Sequence, residues 1–209
     1  MLEMDFTSEE RQWIRREDLF RVKANIVQKW KLRLRQVQQR LADEAAQLPE
    51  PLYSGGYRIS QGDHYRGLPY AVGDGPACFE KNDILAYRII CRWNGDTAFT
   101  LLLQGAYWRH FRNQILAGAA RQPAIGMGPL YTAVGSTPWE HHFGVDNYRM
   151  WDQIPEEQRR SWQAASWAKW AFRQPPDVSY HQLESGAVHA LRTFGSWLSG
   201  GFLSADGGS

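Results

Sequence analysis

The dipeptide Asn94-Gly95 stands between two apolar runs, Ile84–Trp93 and Asp96–Leu103, and it narrows the folding options more than any other feature of the chain. Asn-Gly supplies the positive φ angles of a type I′ turn, whose twist matches that of two paired antiparallel strands. The spacing therefore predicts a β-hairpin over 84–103. Along its second arm Thr97, Phe99 and Leu101 alternate with Ala98, Thr100 and Leu102, so both faces are fairly apolar. Strands of that kind belong inside a sheet, covered by helices on at least one side.

A long helix supplies such a cover. From Glu17-Asp18 to Leu48 no Gly or Pro interrupts the chain, and Phe20, Val27, Leu34, Leu41 and Leu48 recur every seven residues, flanked by Ile26, Trp30, Val37 and Ala45. This is the stripe of an amphipathic helix, stopped by Pro49 and Pro51. A shorter helix is expected upstream, where Thr7-Ser8-Glu9-Glu10 puts a hydroxyl and two acids at a helix start.

Downstream of the hairpin, Tyr107, Phe111, Ile115 and Leu116 predict a helix over Ala106–Gln122, Pro123–Pro129 reads as a loop, and Leu130–Val134 as a short strand. Pro155, Glu156 and Glu157 suit a helix start, which predicts a helix over Pro155–Phe172. A last helix runs over Ser179–Leu198 through Leu183, Ala187, Leu191, Phe194 and Leu198. Between the long helix and the hairpin, Tyr57–Ile59 and Leu68–Val72 read as edge strands. Strands gathered centrally and helices at both ends define an α+β fold, with the long N-terminal helix and the C-terminal helices packed on a mainly antiparallel sheet. A single domain over 1–209 is expected, with 1–16 and 204–209 loosely ordered.

The net charge of +2 creates no field that calls for nucleic acid or an anionic membrane. Residues 21–40 do carry Arg21, Lys23, Lys29, Lys31, Arg33, Arg35 and Arg40 without an acid, but these flank the apolar stripe, as stems covering its borders would. The two cysteines, Cys78 and Cys91, form neither a metal knuckle nor a disulfide framework, and neither has a local His to make it a nucleophile. G-x-S-x-G, Walker and H-E-x-x-H patterns are absent. No cofactor is implied, no metal site is assigned and no catalytic residue is named. An N-terminus without an apolar core region and the lack of a long apolar run lead to the expectation of a cytoplasmic protein.

Ten Trp, nine Tyr and nine Phe make the chain rich in large rigid side chains. Trp162, Trp167 and Trp170 suggest a stacking platform on the predicted 155–172 helix, with Trp167 and Trp170 on one face. Core packing explains the same spacing.

Polar chemistry concentrates in two places. The segment Pro138-Trp139-Glu140-His141-His142-Phe143, with Asp146 behind it, gathers imidazoles and carboxylates after a predicted strand, although adjacent His141 and His142 cannot easily face one ion. The segment Gly62-Asp63-His64-Tyr65-Arg66-Gly67 puts a carboxylate, an imidazole, a phenol and a guanidinium into a tight loop. Glu80, Asp83 and Arg88 are candidates to line a cleft with it.

The runs Tyr65-Arg66-Gly67-Leu68-Pro69-Tyr70, Cys78-Phe79-Glu80-Lys81-Asn82-Asp83-Ile84-Leu85-Ala86-Tyr87-Arg88 and Ser136-Thr137-Pro138-Trp139-Glu140 resemble a pattern in a family of small bacterial proteins with no assigned activity. The resemblance covers about residues 55–145, implies a bacterial protein of this size, and brings no catalytic residues with it.

The functional expectation is a protein that binds a small molecule or a protein partner in a polar cleft between loops 60–70 and 136–146, using His64, Arg66, Arg88, Trp139, Glu140 and His142. Two alternatives accompany it: a hydrolase-type enzyme using Glu140 and a nearby His, and a structural subunit that forms a homodimer through the 18–48 helix. Nucleic-acid and membrane partners are not expected.

Overall fold

A computed structural model describes residues 4–46, 48, 50, 52–121 and 126–199. Helix α1 (Ser8–Ile14) starts at the hydroxyl signal. The Thr7 hydroxyl accepts from the Glu10 amide at 3.1 Å, and the Glu10 carboxylate accepts from the Thr7 amide at 2.7 Å, a reciprocal cap. None of its residues is buried. Helix α2 (Leu19–Ala45) follows with 27 residues, which span about 40 Å. Val27, Trp30, Leu34, Val37, Leu41 and Ala45 bury as the stripe requires, whereas Phe20 at its start is 74 % exposed. The stripe is thus spent on this chain's own sheet from Val27 onward. The expected stops Pro49 and Pro51 lie outside the described residues, as do Pro123 and 204–209.

The strands are β1 (Gly56–Tyr65), β2 (Leu68–Phe79), β3 (Ile84–Arg92) and β4 (Thr97–Gln104). After them come α3 (Ala106–Arg121), β5 (Tyr131–Ala133), β6 (Tyr148–Met150), α4 (Glu156–Ser161), β7 (Trp167–Gln174) and α5 (Tyr180–Leu198). Among the described residues the sheet has seven strands in the order β1-β2-β3-β4-β7-β5-β6, and each of their pairings is antiparallel. Helices α2, α3 and α5 lie on one face. Leu85, Tyr87, Ile89, Phe99, Leu101, Leu103, Trp170 and Phe172 project into the core beneath them. The α+β class follows, and among the described residues no helix is long and apolar enough to cross a membrane.

Three local expectations are corrected. The run Leu68–Val72 is not an edge: β2 is sandwiched between β1 and β3, and Gly73 leaves room for Leu34 of α2, which sits 3.3 Å from where a Cβ would be. Only β1 borders solvent on that side. Next, the β3–β4 connection is not a two-residue type I′ turn. Asn94 has φ 50, but the Trp93 amide donates to the Pro69 carbonyl at 3.0 Å, which ties Trp93 to β2 and lengthens the loop. The two-residue turn occurs instead at Arg66-Gly67, with φ 53 and 75 between the paired residues Tyr65 and Leu68.

The third correction is the largest. The predicted helix over Pro155–Phe172 breaks after Ser161, and Trp167–Gln174 forms β7, paired with β4 from Gln104↔Trp167 to Thr97↔Gln174. Side chains alternate along a strand, so Ala168, Trp170 and Phe172 enter the helix-covered core while Trp167, Lys169 and Arg173 belong to the opposite face. Trp167 and Trp170 therefore do not share a face. Trp170 is fully buried and meets Trp108 at 5.7 Å, Trp151 at 6.3 Å and Trp197 at 6.3 Å between ring centroids. Trp162 packs on Trp151 at 5.7 Å. Trp162 and Trp170 thus join the helices to the sheet, while Trp162 and Trp167 line a separate hollow of about 310 Å³ with Ser136 and Gln158.

Candidate functional site

The sheet face away from the helices is covered by the 134–147 segment that joins β5 to β6. Its apolar anchor is Phe143, stacked on Tyr148 at 4.6 Å and set edge-on to Tyr131 at 5.1 Å. Its polar anchor is Lys169, which projects from β7, is 1 % exposed and donates to the carbonyls of Pro138 at 2.6 Å and Glu140 at 2.5 Å. The Lys169 ammonium also lies 5.0 Å from the centre of the Tyr148 ring. Burial, together with the nearby Arg88 guanidinium and against the pull of Glu140, brings its pKa down to about 7.

The second wall is the β1–β2 hairpin. Its segment 60–70, expected as a loop, consists of the ends of two strands and the Arg66-Gly67 turn, because the positive φ angles at that turn let pairing continue to Tyr65 and Leu68. The two walls meet at the Tyr65 hydroxyl. It accepts from the amides of His141 at 2.8 Å and His142 at 3.0 Å, and donates to Glu140 Oε2 at 2.8 Å. One phenol thereby fixes three consecutive residues of the covering segment. Burial, with the Glu140 carboxylate as a further cause, raises its pKa above 10.

Around this junction His142 Nδ1 lies 3.2 Å from Glu140 Oε2, while its Nε2 lies 2.9 Å from Asp146 Oδ2 and 3.0 Å from Arg66. Asn147 locks the segment from inside by donating to the His142 carbonyl at 2.8 Å. His141 and His142 do face different ways. His142 joins the surface network, while His141 is buried against the Tyr65 ring at 5.6 Å.

Beside the junction lies a pocket of about 240 Å³. Its floor comes from alternate residues of adjacent strands: Arg58 and Ser60 of β1, Tyr70, Val72 and Asp74 of β2, and Arg88 of β3. The register places Arg58 beside Asp74 and Asp74 beside Arg88. Tyr65, Trp139 and His141 complete the enclosure. Arg88 Nε donates to Asp74 Oδ1 at 2.5 Å in a buried ion pair, and its guanidinium packs against the Trp139 ring at 5.4 Å. Trp139 is otherwise 45 % exposed, so this aromatic has left the core to form part of a cavity wall. Arg58 is exposed and has no ion-pair partner among the described residues. Burial, and then the positive charges of Lys169, Arg88 and Arg92, depress the His141 pKa to about 2, so the imidazole is neutral at neutral pH. Its Nδ1 has no hydrogen-bond partner among the described residues.

Of the residues singled out from sequence, Arg66, Arg88, Trp139, Glu140 and His142 are gathered at this junction. His64 is not: it is exposed and hydrogen-bonds to none of them, because the pairing is irregular between Gly62 and Tyr65 and it is Tyr65 that reaches the covering segment. Glu80 and Asp83 are also excluded. They form the turn at the far end of β2 and β3, where Asp83 Oδ1 accepts from the Ala106 amide at 2.6 Å and so caps α3. Arg58, Tyr70, Asp74 and Lys169 were not singled out as site residues. The first three follow from the period-two alternation of β1 and β2 once these are paired, whereas Lys169 was hidden by reading β7 as a helix. Among the described residues, no group of three or more His, Cys, Asp or Glu side chains could hold a metal ion.

The fold and site together define an α+β protein with helices on one sheet face and a segment-covered polar pocket on the other. No family model matches the chain, and neither curated proteins nor solved structures provide a significant match.

Proposed function

We propose that this chain is a small-molecule binding protein whose ligand enters the pocket between the β1–β2 hairpin and the 136–146 loop. The observation that carries the reading is the junction itself. Polar and aromatic side chains from three strands and the covering segment line one concave site, and a buried, neutral His141 on its wall has a nitrogen without a hydrogen-bond partner among the described residues. Binding sites have this character: a preformed cavity with few, well-placed polar groups. At about 240 Å³ the pocket is smaller than the roughly 300–1,000 Å³ of sites for drug-sized ligands, so its occupant is a fragment-sized molecule.

Hydrolysis by Glu140 and His142 is the weaker reading. Glu140 Oε2 is engaged by both Tyr65 and His142, and the Tyr65 oxygen accepts two backbone amides. Groups committed in this way hold a loop.

The test is a ligand-observed NMR screen of small polar molecules against the wild-type chain and Ser60→Phe, which fills the pocket from the edge strand. The expected result is at least one saturable ligand that Ser60→Phe no longer binds. Hits that bind both proteins equally would contradict the proposal.

A further inference from the structure

Resting on that reading of the pocket, we infer that its ligand carries an oxyanion, a carboxylate or phosphate group, on a small planar body. The charges around the cavity are unbalanced. Asp74 offsets Arg88, but Arg58 stands at the mouth without an ion-pair partner among the described residues. Behind the wall, Arg92 is 8 % exposed with its guanidinium 5.7 Å from the Tyr65 ring centre, and its Nε has no hydrogen-bond partner among the described residues. Lys169, beneath the covering segment, spends its ammonium on the Pro138 and Glu140 carbonyls and lies in the field of the Glu140 carboxylate, so the positive excess rests on Arg58 and Arg92.

Electrostatic focusing makes such a cleft attractive to anions and repellent to cations. The depressed pKa of His141 reports the same field, since Lys169, Arg88 and Arg92 all disfavour a proton there.

The geometry at the floor suits an oxyanion. Arg88 uses Nε on Asp74, and its two terminal nitrogens make no hydrogen bond among the described residues. A guanidinium presents donors in a planar fork that matches carboxylate and phosphate oxygens. Ser60 and Tyr70 add hydroxyls on the same floor. A cationic ligand would instead seek the aromatic walls, but the Trp139 ring is already taken by Arg88. The remaining aromatic surface, from Tyr65 and Tyr70 set edge to face at 6.3 Å, suits a single flat ring or unsaturated chain.

Four one-ring probes separate the possibilities: benzoate, phenyl phosphate, neutral benzamide and benzylammonium, each titrated into the ¹⁵N-labelled chain while the Trp139 indole and His141 signals are followed. Saturable shifts with benzoate or phenyl phosphate, at least about tenfold tighter than with benzamide, are expected, the margin of one charge-assisted contact. The tighter of the two anions assigns the group. Arg58→Gln, at an exposed edge position, is expected to keep the fold and weaken the anion about tenfold. Benzamide or benzylammonium binding as well as the anions, or an Arg58→Gln affinity equal to wild type, would overturn the anion assignment and leave the pocket reading standing. Absence of any pocket shift with all four probes at millimolar concentration would overturn both.

Discussion

Replacing Tyr65 with Phe removes one oxygen and leaves the ring packed on Tyr70 and His141. That oxygen accepts two backbone amides, from His141 and His142, and donates to Glu140. The Glu140 side chain is 41 % exposed, so water can resolvate its carboxylate at little cost. The two amides have less access to water. Each donor left without an acceptor costs about 1–3 kcal/mol, and partial burial puts both near the lower limit, for a total of about 2 kcal/mol. At this chain length each kcal/mol shifts the melting temperature by roughly 2–4 °C, so calorimetry at neutral pH should show a fall of about 4–8 °C. Exchange of the His141 and His142 amides should accelerate about 30-fold if both open with the covering segment. A melting temperature within a degree of wild type, with unchanged exchange at both amides, would refute the claim that this hydroxyl pins the segment.

Other expectations follow from the same packing. The His141 pKa is about 2 in the folded chain against about 6.5 unfolded, so the unfolded chain binds the extra proton in between. Burial of this group carries no penalty above pH 6.5 and costs stability increasingly as pH falls toward 2, about 3 kcal/mol by pH 4.5; urea melts of His141→Gln should show this acid dependence flattened. Asp74→Asn leaves Arg88 buried without its carboxylate and should cost about 3 kcal/mol in the same assay. Gly118→Ala reverses the usual helix rule: Ala is favoured by about 1 kcal/mol within a helix, but here the new methyl would collide with the Trp197 ring, and a net loss of about 1–3 kcal/mol is expected.

How far the sequence reached depended on which signal each element carries. The 18–48 helix and the 179–198 helix were legible because their apolar stripes repeat at helical spacing; Ser179 and Gln182 also form a reciprocal cap, whereas Asp18 makes no side-chain cap bond. The β3–β4 hairpin was legible from its two apolar arms, although the turn chemistry belonged to Arg66-Gly67. Strand β7 was not legible, since Trp167, Lys169 and Trp170 follow a convincing helix start at Pro155 and a strand inside a sheet with two covered faces shows no clean alternation. At the site, Arg66, Glu140 and His142 were recognisable as polar chemistry in tight segments. Lys169 and Asp74 were not, because their roles arise from pairing across the sheet, which local sequence does not encode. The hydrogen bonds that Tyr65 makes to Glu140, His141 and His142 join residues more than seventy positions apart, beyond the reach of spacing arguments.

The central claim is that ligand enters the pocket enclosed by the hairpin and the covering segment. A competing hollow of about 410 Å³ lies between α3 and α4, lined by Leu116, Ala120, Trp151, Arg159 and Arg160 among others. Mapping amide and indole shifts of the labelled chain at saturation with benzoate distinguishes the two. The expected shifts fall at Arg58, Ser60, Tyr65, Tyr70, Trp139 and His141, and shifts centred instead on Leu116, Trp151 and Arg159 would contradict it.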